Sequence, residues 1–199
     1  MLYLDMDGCF ADFAEHVSKR VNDLLTGEEV TDSKTMNRAL RFFEREGIVR
    51  VDKSHFSHVS ISKMDKKVAR QYKAFIYRLA ASEDFFRKLK VMNHYLFRSI
   101  LETRIPFSFL TAPVGEHSCQ DKKWWVQNIL GVTSHNTPQF DRVICCPRIE
   151  KSWHAAGNVL FDDHPTTVRE WKEAGGTAFL CPDEITTDDG FLQWLKDNK

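Results

Sequence analysis

Charge of one sign is not in excess in this sequence. Its 28 Lys and Arg are matched by 28 Asp and Glu, and the formal net charge is zero. No overall field therefore draws the chain to polymeric nucleic acid or to an anionic membrane surface. Cysteine is sparse and unpatterned. Cys9, Cys119, Cys145, Cys146 and Cys181 are odd in number and include no Cys-x-x-Cys pair, which argues against a disulfide framework and for a reducing compartment. The eight histidines never recur as His-x-x-x-His, so no zinc site is indicated. No apolar run reaches the ~18 residues that a membrane span requires. The first apolar run begins at Met1 without a basic-then-apolar leader ahead of it, so a cytoplasmic protein with no membrane partner is expected. Internal repeats and low-complexity tracts are also missing.

What is present is a chain of 199 residues, 42% hydrophobic and 12% aromatic, enough for one domain or one domain with a substantial insertion. Its first ten residues organise the rest. Leu2-Tyr3-Leu4 runs into Asp5-Met6-Asp7-Gly8. This reads as a buried strand that delivers two carboxylates past its carboxyl end, with a glycine where the backbone can turn sharply. Taken alone, Asp-x-Asp-Gly is equally a polar turn. From residue 105 onward apolar runs alternate with helical patterns. Strands are expected at 106–110, 142–146, 158–161 and 177–181. Helices are expected at 121–130, stopped by Gly131, at 165–171 with Pro165 early and Gly175-Gly176 late, and at 191–195. Such alternation implies an α/β fold, a doubly wound parallel sheet.

Between the first strand and that alternation the chain is mostly helical. Phe13, Val17, Val21, Leu24 and Leu25 recur at helical spacing up to Gly27. Residues 37–46, 64–81 and 92–102 also read as helices, with Ser82 as an N-cap for the turn after the second of these. Residues 48–61 show no clean period and read as a short hairpin or a loop. Opposite its apolar stripe, 64–81 carries Lys63, Lys66, Lys67, Arg70 and Lys73, either a solvated face or a means of steering an anionic substrate. The expected division is a sheet domain of residues 1–13 and 89–199, with a helical cap of residues 14–88 inserted after the first strand as a lid.

Four strand ends then carry polar groups: Asp5 with Asp7, Thr111, Lys151 in the loop after the third strand, and Asp162 with Asp163. Each has a bland reading as a turn, an exposed lysine or a helix cap. Together they bring one hydroxyl, one lysine and four carboxylates to one edge of one sheet. Four carboxylates in a cleft raise one another's pKa unless a cation relieves them, and hard oxygen ligands suit Mg²⁺ better than zinc.

The set resembles the haloacid dehalogenase superfamily of phosphotransferases, with Asp5-Met6-Asp7-Gly8, Thr111, Lys151 and Asp162-Asp163 as its four motifs. Residues 4–13, Leu110-Thr111-Ala112-Pro113, Asp121-Lys122-Lys123-Trp124-Trp125-Val126 and Val159-Leu160-Phe161-Asp162-Asp163-His164-Pro165 are similar to the 5'(3')-deoxyribonucleotidases. The likeness covers the sheet domain well and the insertion poorly. It implies a Mg²⁺-dependent phosphatase of nucleoside monophosphates, 5'-deoxyribonucleotides first among them, working through an aspartyl-phosphate. Asp5 would be the nucleophile, and Asp7 the acid and then the base, with its backbone carbonyl on the metal. Asp163 would be an inner-sphere ligand, with Asp162 acting through water or by orienting Lys151. Thr111 and the backbone at Ala112 would hold phosphate oxygens, Lys151 would balance charge, and Lys122 or its neighbour Lys123 would be a second phosphate contact. Phe13 matches an aromatic that lies over the base. Phe43 and Phe86, like Phe42 and Phe85, are either further ring partners or the insertion's own core. His164 stands where that family commonly carries Arg or Lys. Two rivals remain, a phosphatase of another small phosphomonoester such as a sugar phosphate and a non-catalytic nucleotide-binding protein. The implied partner is a small-molecule nucleotide, and a homodimer is left open.

Overall fold

The computed structural model describes residues 1–181 and 190–198. Five strands, β1 Leu2–Leu4, β2 Phe107–Thr111, β3 Phe140–Cys145, β4 Val159–Asp162 and β5 Thr177–Leu180, form one parallel sheet in the order β3-β2-β1-β4-β5. The shortest strand is central. Leu4 is in register with Phe109 on one side and Phe161 on the other, so the carboxyl ends of β1, β2 and β4 finish side by side.

Burial on both faces accounts for the apolar runs. Leu2, Leu4, Phe107, Phe109 and Phe161 enter a core shared with Phe97, Trp125 and Phe191. The alternate positions Leu110, Leu160 and Ala178 enter a second core with Val168 and Trp171, against which Tyr3 packs. The helices that supply these partners are α5 His94–Leu101, α6 Ser118–Asn128, α7 Pro165–Glu173 and α8 Phe191–Asp197. The doubly wound α/β fold expected from the alternation is the fold observed. Among the described residues no helix is long and apolar enough to cross a membrane.

Between β1 and α5 lie α1 Phe13–Thr26, α2 Lys34–Arg45, α3 His58–Lys63 and α4 Lys66–Ala80. Residues 48–61 form no hairpin. Their polar residues blur the period because they are helix caps. Asp52 Oδ1 accepts from the Ser54 N–H at 2.9 Å to open a 3₁₀ turn at Lys53–Phe56, and Ser57 Oγ accepts from the Ser60 N–H at 3.1 Å to open α3. Ser82 is corrected as well. Its hydroxyl donates back to the Leu79 carbonyl at 2.6 Å, closing α4 rather than opening the next turn.

The helical segment leaves and rejoins the sheet through adjacent backbone. The Asp12 N–H donates to the Lys90 carbonyl at 2.9 Å and the Met92 N–H to the Phe10 carbonyl at 2.8 Å. Just inside this neck, His16 lies edge-on to Phe85 at 4.9 Å, with Nε2 buried and without a hydrogen-bond partner among the described residues. Burial, helped by Arg20, Lys19 and Lys88, lowers its pKa below the usual histidine value. The folded state therefore favours the neutral ring, and the stability this contributes is present above about pH 6.5, the ordinary histidine value, and is lost as the pH falls from there through the lower pKa of the folded state. His16→Phe is expected to flatten the decline in melting temperature between pH 7 and pH 5. A decline as steep as that of the wild type would count against this origin.

Candidate active site

The site grows out of the end of β1. The Asp5 N–H donates to the Phe161 carbonyl at 2.8 Å, so the β1–β4 ladder carries on past the last strand residue and fixes where the Asp5 side chain starts. The chain then turns tightly, with the Phe10 and Ala11 N–H groups both on the Met6 carbonyl at 2.9 Å. Gly8 makes the turn possible twice over. Its φ is +74°, and a Cβ placed there would lie 2.1 Å from Asp163 Oδ2. Gly8→Ala is expected to cost about 1–3 kcal/mol in denaturant unfolding. A Gly8→Ala protein as stable as the wild type would show that the close approach of Asp163 carries no cost.

Lys151 rises from the 3₁₀ segment Arg148–His154 after β3. Its Nζ donates to Asp5 Oδ1 at 2.8 Å and to Asp162 Oδ2 at 2.7 Å. All three residues are buried. Burial works against the lysine's charge, but Asp162 and Asp5 outweigh it and hold the ammonium protonated above the usual lysine range. Asp162 ends β4, and its other oxygen accepts from the His164 N–H at 2.8 Å. Burial pushes its pKa up to about 6 against the pull of Lys151. For Asp163, burial and the neighbouring Asp5 and Asp162 push the carboxyl well above its ordinary range.

A second cluster lies alongside. Lys122, from α6, is fully buried. Its Nζ donates to Asp7 Oδ2 at 2.6 Å, to Thr111 Oγ1 at 2.8 Å and to the Ala112 carbonyl at 2.6 Å, and it sits 4.5 Å from the centroid of the Phe86 ring. Lys123 is exposed, so Lys122 is the lysine that reaches the site. Burial raises the pKa of Asp7, only partly offset by Lys122, and its Oδ1 is buried without a partner among the described residues.

These clusters fit a hard divalent cation. One carboxylate oxygen from each of Asp5, Asp162 and Asp163 lies within 4.8 Å of the others. With Asp7, four carboxylates meet two ammonium groups, which leaves an excess of two negative charges in a largely buried cleft.

Above the clusters is a cavity of about 510 Å³. Asp5, Asp7, Lys151, Asp162 and Asp163 line its floor, together with Ala112 and His164, and Phe13 lines its side. The His164 ring does not swing freely, because its Nδ1 accepts from the Thr166 N–H at 3.2 Å and caps α7. Thr111 and Lys122 lie beneath the cavity rather than on its wall. Phe43 and Phe86 are corrections: neither lines the cavity and both are fully buried. Phe43 packs between Tyr72 and Phe75, and Phe86 packs on Phe85, because the helical layer builds a core of its own, which also takes in Phe42, Phe56 and Leu79. The sequence reading missed Asn93, whose Nδ2 donates to the Cys9 carbonyl at 2.6 Å and pins the loop that carries Asp7. Its left-handed backbone, φ +57°, is a conformation Asn tolerates better than most residues, but Asn at a helix start is too common to signal it. Also missed were Lys53, Tyr77 and Arg148 on the cavity wall, where they join Lys73 of the basic stripe.

No family model matches the sequence, and no curated protein matches it. Among solved structures the chain is similar to a hydrolase from Streptococcus pneumoniae, with a TM-score of 0.47 at 12% identity over 98% of this chain and 97% of that one. It is also similar to a haloacid dehalogenase-like family hydrolase from the same organism, with a TM-score of 0.44 at 12% identity over 98% and 90%. A third is YfnB of Bacillus subtilis, described as a HAD-hydrolase and crystallised bound to magnesium, with a TM-score of 0.42 at 13% identity over 94% and 88%. Likeness at this level concerns the path of the chain. What the site can do rests on its own residues.

Proposed function

We propose that this chain is a Mg²⁺-dependent phosphatase of the haloacid dehalogenase type, acting on nucleoside monophosphates and on 5'-deoxyribonucleotides first among them. One observation carries the reading: Lys151 holds Asp5 and Asp162 together, 2.8 and 2.7 Å away, at the floor of a cavity large enough for a nucleotide. A structural ion pair has no need of two further carboxylates, Asp7 and Asp163, crowded beside it at a cost in repulsion.

Asp5 attacks phosphorus, forming an acyl-phosphate as the bond to the leaving alkoxide breaks. Asp7, whose raised pKa suits it to hold a proton, gives that proton to the alkoxide and later takes one from the water that hydrolyses the intermediate. Lys151 balances charge on Asp5 and on the transferring group. Lys122 holds Asp7 and the Thr111 hydroxyl in one place. Asp5, Asp163 and the Asp7 carbonyl would hold the metal, with Asp162 orienting Lys151. Mg²⁺ bound there supplies positive charge to the phosphate oxygens. Phe13 would meet the base, and residues 14–88 would act as the lid that excludes water.

A phosphate-release panel tests this. Nucleoside monophosphates should be turned over faster than sugar phosphates in Mg²⁺, and EDTA should abolish release. Mg²⁺ at a hundredfold excess over its Kd should add about 2.7 kcal/mol of stability, raising the melting temperature by roughly 5–10 °C. Preference for sugar phosphates would reject the substrate, and full activity in EDTA would reject the metal.

A further inference from the structure

Helix α4 carries an arrangement of charge that its fold does not require. It holds Lys66, Lys67, Arg70, Lys73 and Arg78 and no acidic residue, in a chain whose charges balance overall. Lys66, Arg70 and Lys73 follow at intervals of four and three, so they share one face, and all are exposed. None of the three forms an ion pair among the described residues. Like charges at these spacings destabilise a helix, and lysines in a first turn oppose its dipole. Apolar burial on the opposite face, through Tyr72, Phe75 and Leu79, would be served as well by mixed charges.

The stripe also has a direction. Lys66, Arg70, Lys73 and Tyr77 follow one another along one open face of α4, and Lys73 and Tyr77 line the catalytic cavity as well. The basic face and the cavity therefore meet at these two side chains. From Tyr77 to Lys66 the track runs roughly 16 Å at 1.5 Å per residue. Tyr77, with 59% of its surface exposed, stands at the junction, where a ring can stack on a base. A cation row with an aromatic at its head is how phosphate-linked ligands are held without sequence readout.

We infer that the substrate of this site carries phosphate beyond the one that is cleaved, and that this second anionic part lies on Lys73, Arg70 and Lys66. The chemistry is that of a phosphorylated nucleotide with a further phosphate, whose source is either a nucleoside bisphosphate or the phosphorylated end of a short single strand. The inference deepens the proposed phosphatase reading and rests on it for the identity of the cleaved group.

The test uses the full chain with Asp5→Asn as a trap, titrated with thymidine 5'-monophosphate, thymidine 3',5'-bisphosphate and 5'-phosphorylated tetrathymidylate. The ligands with extra phosphate should bind at least about tenfold tighter than the monophosphate, with a steeper salt dependence. Adding Lys66→Gln with Arg70→Gln should erase that advantage. Because both positions are exposed, the melting temperature should hold when the same pair is introduced into the otherwise wild-type protein. An advantage for tetrathymidylate over the bisphosphate identifies a strand end as the source, and equal binding identifies the small molecule. Equal affinity for monophosphate and bisphosphate, or an advantage that survives the double substitution, overturns the inference. Failure of the wild-type protein to release phosphate from any ligand overturns the phosphatase reading instead, while the titration still decides the track.

Discussion

Asp5→Asn is expected to lower phosphate release by at least about 10⁴-fold, the scale on which a covalent nucleophile is lost, while the protein stays folded. The two outcomes separate for a structural reason. Asparagine keeps an oxygen that can accept from Lys151, at the position where Asp5 Oδ1 now accepts at 2.8 Å, and Lys151 retains Asp162 at 2.7 Å. The buried ammonium is therefore never stranded, and one carboxylate is removed from a cleft that already holds an excess of them. The melting temperature should fall by no more than a few degrees, and without metal it could rise. Phosphate release within tenfold of wild type from a purified Asp5→Asn protein would rule out the covalent route. Quenching the wild-type reaction in acid and finding phosphate on a peptide containing residue 5 would support it directly.

Lys151→Met should do the opposite, damaging fold and activity together. The residue is 3% exposed and ties the end of β1 to the end of β4 through two charged hydrogen bonds. Without the ammonium, Asp5 and Asp162 face each other in a buried cleft, with Asp163 beside them. Removing one partner of such a pair costs about 3–5 kcal/mol, which for a chain of this size is roughly 6–20 °C in melting temperature. Mg²⁺ should recover part of that loss, since it supplies positive charge to the same carboxylates, but not the activity. Differential scanning with Mg²⁺ and with EDTA reads both effects. A melting temperature that matches wild type in EDTA would mean that the Lys151 pairs carry no weight in the fold.

The sequence by itself determined the parts of this protein that follow from local pattern. Apolar runs bounded by Gly and Pro placed the strands to within a residue or two, because burial on both faces of a parallel sheet favours apolar residues; the largest offset is at the start of β3, which carries the exposed Asp141 and Arg142. Asp5, Asp7, Thr111 and Asp162 could be located at strand ends from one-dimensional order alone, since a parallel sheet collects every carboxyl end on one edge. Only the tertiary structure decided what depends on which face a side chain turns. Phe13 and Phe86 are both aromatic and flank the same insertion, yet the first lines the cavity and the second supports the Lys122 ammonium from below. Lys122 and Lys123 are adjacent, and one step of 100° around α6 separates the buried cation from the exposed one. Asn93 reaches the Cys9 carbonyl across 84 residues of sequence. The basic face of α4 was visible as a stripe, but its junction with the cavity at Lys73 and Tyr77 exists only once the helices are packed. Local pattern reports which residues are near one another along the chain, and a site is made by residues that packing brings together from far apart in it.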